Sequence, residues 1–308
     1  MNKLEKLASK SLLEPYGDLD VLLYYSLVAR KLRKFLKGKE LAAKNWIPSY
    51  RPLLKRGSEL PPLWVENLAD ESVITSELLE LRKGHLADVR KTGWLSKKQE
   101  LAWRYFVPRK LSELLYATNN ENPGKPIERI FFDLDRGEGI TQEQAQQAAL
   151  HFVNAIQDDK DFPLKHDLLV CWTGSSFHVF LLLQKQMPAS DYAKTVQYSE
   201  KNPLSTFTGK WAAEVQKQVS FKVSGGHEKK NRMLVLDPSQ TPSGKLCRAP
   251  FSLHVSKDGK RIDGVDVPLG YKDLEDESLV QELKALTPER VWEKIGFHAS
   301  KFPLRFRA

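Results

Sequence analysis

Ile127-Glu128-Arg129-Ile130-Phe131-Phe132-Asp133-Leu134-Asp135-Arg136-Gly137-Glu138-Gly139 is the stretch whose reading decides the fold. Ile127, Ile130, Phe131 and Phe132 supply the β-branched and aromatic residues of a buried strand, and the Gly137-Glu138-Gly139 turn closes it. Side chains alternate along a strand, so Asp133 and Asp135 project from one face while Leu134 goes to the other. Two carboxylates held that close repel, and a divalent cation with oxygen ligands is the usual relief. A lone Asp-x-Asp is also what a water-facing strand end looks like, so the flanking sequence has to decide.

Downstream, Thr141 and Gln144 form a capping box, and Ala145, Ala148, Ala149, Phe152, Val153 and Ile156 mark the apolar face of a helix reaching about Gln157. Residues 167–172 read as the next strand, 173–176 as a turn and 177–183 as a returning strand, a hairpin with Ser176 and His178 on one face. A helix over 191–200 and another around Trp211 follow, then a loop over 224–231 and a third strand ending at Asp237 before Pro238. The segment Arg248-Ala249-Pro250-Phe251-Ser252-Leu253-His254 comes next, with a turn at 257–260 between strands. The tail from Asp276 is helical and then basic, with Lys301, Arg305 and Arg307.

Upstream, residues 1–95 read as a helical, basic region, set apart from the unit over 96–308 that holds the strands and turns just described. Asp18 caps a helix running through Leu36, whose far end carries Arg30, Lys31, Arg33, Lys34, Lys37 and Lys39, a placement the helix dipole favours. Pro48, Pro52, Pro61 and Pro62 interrupt the chain between Trp46 and Trp64, and a second helix runs from Thr75 to about Val89. Trp103, Arg104, Tyr105, Phe106, Arg109 and Lys110 mix aromatic and basic side chains, which suits either base stacking with phosphate contact or the core and rim of a helix.

The 308 residues carry 48 basic against 39 acidic side chains, a net charge of +9 that suits a polyanionic partner. Cys171 and Cys247 sit in apolar runs, which argues against a disulfide framework or a cysteine zinc site and for a reducing compartment. No secretory core opens the chain and no apolar run approaches the ~20 residues that span a bilayer, so the expected setting is intracellular and off the membrane.

Three strand ends thus offer Asp133 with Asp135, Ser176 with His178, and Asp237. Three carboxylates suit two divalent cations ~3.5–4 Å apart in a phosphoryl-transfer site, and a nearby His and Arg would steady a triphosphate. Taken singly, each has a plainer reading. His178 fits a half-buried strand histidine, Asp237 before Pro238 a turn starter, and Arg248 the partner of an acidic neighbour. His227, Lys229, Lys230 and Arg232 fit a template or primer contact or a solvated loop.

Together these motifs resemble the catalytic subunit of archaeal and eukaryotic replicative primases and the wider primase-polymerase superfamily. Phe132-Asp133-Leu134-Asp135 is similar to the family's Asp-x-Asp motif and Thr173-Gly174-Ser175-Ser176-Phe177-His178 to its Ser-Gly-x-Gly-x-His motif. Leu236-Asp237 matches the third motif, and residues 248–254 match the Arg-Leu-Pro-Gly-Ser-Leu-His segment that follows it. The wording Phe-Asp-Leu-Asp-x-Gly-Glu-Gly is also similar to the polymerase domain of bacterial end-joining ligases. The resemblance covers about residues 127–260. It implies Asp133, Asp135 and Asp237 as catalytic metal ligands for two cations, Mg²⁺ or Mn²⁺, and Ser175, Ser176, His178, Arg248 and His254 as nucleotide-binding residues.

The implied fold is α+β: a primase-polymerase core with an antiparallel sheet similar to an RNA-recognition motif, a second α/β layer, and the helical N-terminal region in front. The implied partners are a single-stranded DNA template with its primer and nucleoside triphosphates, with a primase large subunit or a helicase as further candidates. The implied activity is DNA primase or template-dependent nucleotidyl transfer. Thr173 stands where Ser is usual and Ser176 where Gly is usual, and the motif lacks the Lys or Arg of several relatives. The cysteine stem of replicative subunits is missing, which points to a plasmid, viral, defence or repair type. The rivals are an inactive primase-like module that binds nucleic acid or nucleotide, and a metal-dependent nuclease using the same carboxylates.

Overall fold

The computed structural model describes residues 21–46, 52–57, 61–81, 93–106, 111–228 and 231–307. Strands β1 (Glu40–Trp46), β2 (Pro52–Lys55), β3 (Leu63–Trp64) and β4 (Ser112–Ala117) precede the quoted stretch, which forms β5 (Ile127–Arg136). After it come β6 (His166–Trp172), β7 (Phe177–Met187), β8 (Lys222–Gly225) and β9 (Met233–Asp237). The last strands are β10 (Leu246–Arg248), β11 (Leu253–Val255), β12 (Ile262–Val265) and β13 (Val267–Leu269). The helices that place the site are α1 (Val21–Leu32), α2 (Gln142–Asp158) and α3 (Phe207–Gln218).

One sheet runs β13-β6-β7-β5-β9-β8, so the Asp133 strand lies inside it. Its pairings are antiparallel except for the parallel contact of β8 with β9. Helices α2 and α3 cover the face to which Phe132 points, and the Phe132 ring meets Phe152 at 4.9 Å and Trp211 at 6.0 Å between centroids. The expected capping box begins α2: Gln144 N donates to Thr141 Oγ1 at 3.1 Å and Thr141 N to Gln144 Oε1 at 2.9 Å. All six apolar positions read from the 3.6-residue period are buried. Each large side chain among them contributes roughly 1.5–3 kcal/mol by leaving water. The other face of this sheet carries the two aspartates and looks toward a second sheet of order β10-β4-β1-β2, with β3 also paired to β1.

That second sheet corrects the helical expectation for residues 1–95. The first described helix there, α1, ends at Leu32, and Leu36 falls in a turn that Gly38 closes with φ 68°. Residues 40–64 then supply β1, β2 and β3, because Leu41, Ala42 and Ala43 bury as a strand and Pro52 opens an edge strand, a position that needs no ladder N–H. The expected division at residue 95 runs through this sheet, since β1 pairs with β4 across it. Asp18 and residues 82–89 of the expected second helix lie outside the described residues, which retain Ser76–Leu81 of it.

Elsewhere, the 191–200 helix is confined to Ala189–Thr195. The loop expected over 224–231 begins as β8, because pairing with β9 takes in Ser224 and Gly225 before the chain turns. Trp103, Tyr105 and Phe106 are buried, which removes them from base stacking, while Arg109 and Lys110 lie outside the described residues. The basic tail is tied to the first sheet: Arg305 pairs with Asp167 at 2.7 Å and donates to Leu183 O at 3.2 Å. No helix among the described residues is long and apolar enough to cross a membrane.

Candidate active site

Register builds the floor of the site. Cys171, His178, Asp133 and Asp237 are successive cross-strand neighbours on β6, β7, β5 and β9, and directly opposed residues share a face. Asp135 joins them two residues along β5, while Leu134 is buried on the helix side. Asp133 and Asp135 line a cavity of ≈ 320 Å³ between the two sheets, and His178 Nε2 stands 3.7 Å from Asp133 Oδ1. Burial pushes the His178 imidazole down from its ordinary value, and the positive charge of Arg248 and the His254 ring act the same way.

Asp237 is set back from the cavity. Its carboxylate accepts from Ser239 N at 2.7 Å and from Ser239 Oγ at 3.0 Å. Burial raises its pKa, and the charge of Asp135 adds to the rise against the lowering by the Ser239 bonds. Among the described residues, no three His, Cys, Asp or Glu side chains already form a ligand cluster. The donor set still fits hard divalent cations: three carboxylates share one sheet face, and the mutual repulsion of Asp135 and Asp237 is what a cation offsets.

The hairpin tip and the second sheet form the opposite wall. Thr173 N donates to Ser176 O at 2.9 Å and Ser176 N to Thr173 Oγ1 at 3.0 Å, so Thr173 organises the turn from the position where relatives carry Ser. The Ser176 hydroxyl donates to the Leu134 carbonyl, which fastens the turn to β5. Gly174 adopts φ 93°, and a Cβ there would stand 2.8 Å from His254 Cβ, so only glycine lets the turn lie against this segment.

Arg248 donates from Nη1 to Thr173 O at 3.1 Å and from Nη2 to Glu113 Oε1 at 3.3 Å. Glu113 also accepts from Lys44 Nζ at 3.1 Å and Val255 N at 3.2 Å. Burial alone would raise the Glu113 pKa, but the charges of Arg248 and Lys44 outweigh it and hold the carboxyl below its ordinary value. His254 is pushed down to about 4, by burial first and then by Arg248, so it faces the cavity as a neutral ring near pH 7.

Of the expected site residues, Asp133, Asp135, Ser175, Ser176, His178, Arg248 and His254 line this one cavity, and Asp237 borders Asp133 in the sheet. Arg248 has the acidic neighbour its plainer reading calls for, yet its side chain still lines the cavity. His227 is exposed, and Lys229 and Lys230 lie outside the described residues. Sequence reasoning missed Lys44 and Glu113. Lys44 falls in residues 1–95, read as helical and basic with no catalytic cluster, and Glu113 in the 100–116 segment, singled out only for its aromatic and basic residues.

No family model matches the chain, and no curated protein matches it. A search of solved structures finds the polymerase domain of Mycobacterium tuberculosis Ligase D in complex with DNA, over 96% of this chain and 97% of that one, at TM-score 0.53 and 17% identity. The two chains share a fold. That likeness, covering 96% of the chain, reaches well beyond residues 127–260.

Proposed function

We propose that the protein is a template-dependent nucleotidyltransferase of the primase-polymerase kind, which synthesises or extends primers on single-stranded DNA. The observation that carries this reading is the cavity itself. An acidic strand pair, Asp133 and Asp135, faces a cationic wall of Arg248 and Lys44. A nucleoside triphosphate needs that division: its phosphates are drawn to the basic side, and its α-phosphorus lies nearest the carboxylates.

In this account Arg248, steadied by Glu113 and the Thr173 carbonyl, and Lys44 hold the triphosphate. Ser175 in the 173–176 turn and the His178 ring, both lining the cavity, fix its position against β5. Asp133, Asp135 and Asp237 would hold two Mg²⁺ or Mn²⁺ ions, which when bound favour an ionised primer 3′-hydroxyl and stabilise the departing pyrophosphate. Lys and Arg on template phosphates would give binding that weakens steeply with salt.

The polymerase domain that shares this fold is described in complex with DNA. This favours synthesis over the nuclease reading, as does a cationic wall opposite the carboxylates. The test is a labelled primer on a longer template, incubated with Mn²⁺ and with ribo- and deoxynucleotides in separate reactions, and read on a denaturing gel. Lengthened strands with released pyrophosphate are the expected result, and shortened strands would establish the nuclease instead.

A further inference from the structure

At the other end of β5 from Asp133 and Asp135 lies a second cavity of ≈ 320 Å³, between strand ends of both sheets. Lys37 and Lys39 line it from the turn before β1, and Asn120 and Lys125 from the loop between β4 and β5. Glu128 on β5 and Gln186 near the end of β7 complete the polar lining. Lys37, Asn120, Lys125 and Gln186 are exposed, whereas Lys39 is 3% exposed.

The buried charge beside this cavity does not balance. The Lys39 ammonium pairs with Glu128 Oε1 and donates to the Asn119 carbonyl, which occupies two of its three N–H groups. Arg129, 4% exposed, is a second cation on the same carboxylate, with Nε 3.8 Å from Glu128 Oε1. Its Nη2 donates to the Phe35 carbonyl and the guanidinium lies 4.3 Å from the Phe35 ring centroid, while Nη1 has no hydrogen-bond partner among the described residues. Two buried cations thus share one carboxylate that is itself 37% exposed. Burial first, and then the charge of Arg129, lowers the Lys39 pKa against the opposing effect of Glu128. A buried charge left uncompensated is costly, and an anion in the cavity would offset that cost.

The lining also says which anion. Lys37 and Lys125 form no ion pair with a carboxylate among the described residues, so three ammonium groups can converge on one guest, with the Asn120 and Gln186 amides beside them. Ammonium groups act as point charges that suit the round phosphate group, and the cavity is lined by no aromatic ring on which a base could stack. At ~30 Å³ for each water, its volume is that of about ten waters, room for a phosphodiester as well as a free phosphate. Asp133 stands roughly 17 Å from Glu128 at the strand's rise per residue. A stacked strand at ~3.4 Å per nucleotide covers that span in about five nucleotides.

We infer that the cavity of Lys37, Lys39 and Lys125 is a second phosphate site, which takes a backbone phosphate of the DNA strand about five nucleotides from the reacting end. That the phosphate belongs to a DNA strand rests on the function proposed above; the phosphate site itself does not.

The test reads binding without catalysis. Wild type, Lys37→Ala/Lys125→Ala and the control Lys160→Ala/Lys210→Ala are compared by fluorescence anisotropy with a labelled single strand of ~20 nucleotides, between about 50 and 200 mM salt. The control removes the same charge from exposed lysines just past α2 and within α3, on the helix-covered side of the first sheet. Losing one phosphate contact should make the slope of log K against log salt shallower by about 0.7 and weaken binding about fivefold near 0.1 M salt, with the control within about twofold of wild type. In the ¹⁵N–¹H spectrum, inorganic phosphate exchanged for chloride at constant ionic strength should shift the Gly38 and Asn120 amides of wild type and leave those of Lys37→Ala/Lys125→Ala in place.

Equal slopes in all three proteins would overturn the strand contact, and amides that shift with phosphate even so would give the cavity to free phosphate instead. A loss as large in the control would overturn it too, since net charge alone would then account for the effect. A wild-type protein that incorporates no nucleotide, but whose slope and amides respond as described, would remove the proposed function and leave the phosphate site assigned.

Discussion

The two walls of the cavity are built in opposite ways. The acidic wall is one row across adjacent strands, in which Asp133 has His178 and Asp237 as its direct neighbours. Each member is placed by backbone register, and a side chain has little to do except point. The cationic wall is assembled around a single buried carboxylate, Glu113, which gathers Lys44 from 69 residues away and Arg248 from 135 residues away. Its geometry depends on charge balance: Glu113 is 2% exposed and stays ionised because two cations compensate it. An acidic centre needs rigid placement before any cation arrives, and a phosphate grip needs positive charge that is oriented but not neutralised.

The comparison can be broken first at Asp237, the acidic member bound to Ser239 and set back from the cavity. If the acidic wall has three working members, Asp237→Asn lowers incorporation by roughly 10³-fold, several kcal/mol of transition-state charge stabilisation, in single-turnover primer extension. A loss below about tenfold would leave Asp133 and Asp135 to act without it. The cationic wall predicts a different signature. Arg248→Met removes one charge-assisted contact of about 1.5–3 kcal/mol and should raise the nucleotide KM about 10–100-fold with a smaller effect on kcat, read from steady-state kinetics.

The smallest effect concerns pH. The Glu113 carboxyl is held below its ordinary value in the folded state, so the unfolded chain binds the extra proton as pH falls. Its stabilising contribution is therefore complete above the unfolded pKa of about 4.3 and is lost as pH falls through the lower folded value. Glu113→Gln should melt below wild type at pH 7, and the difference in Tm should shrink as the pH is lowered past about 4. A constant difference would mean that the carboxyl's charge contributes nothing to the wall.

The same contrast explains what could be read from the chain. Asp133, Asp135, His178 and Asp237 announce themselves because strand periodicity is local: alternation puts Asp133 and Asp135 on one face, and the turn at 173–176 returns His178 to them. The α2 cap and its buried face are local too. Lys44 and Glu113 carry no such signal, since the pairing of β1 with β4 and of β4 with β10 is set by contacts far apart in sequence. The same distance hid the β content of residues 40–64. Pro52 and Pro62 mark breaks in a helix pattern, and nothing nearby says that the residues around them pair with β1 or that residues 41–45 pair with 112–116.

The central claim is that Asp133 and Asp135 on β5 carry chemistry while template is bound through its phosphates by Lys and Arg. The most direct measurement compares wild type with Asp133→Asn/Asp135→Asn, taking nucleotide incorporation and affinity for single-stranded template from the same preparations with Mn²⁺ present. The account predicts incorporation by wild type alone and template affinities within about threefold of each other, because phosphate contacts made by Lys and Arg dominate binding. Equal incorporation by the two proteins would contradict it, and so would no incorporation by either while both hold the template.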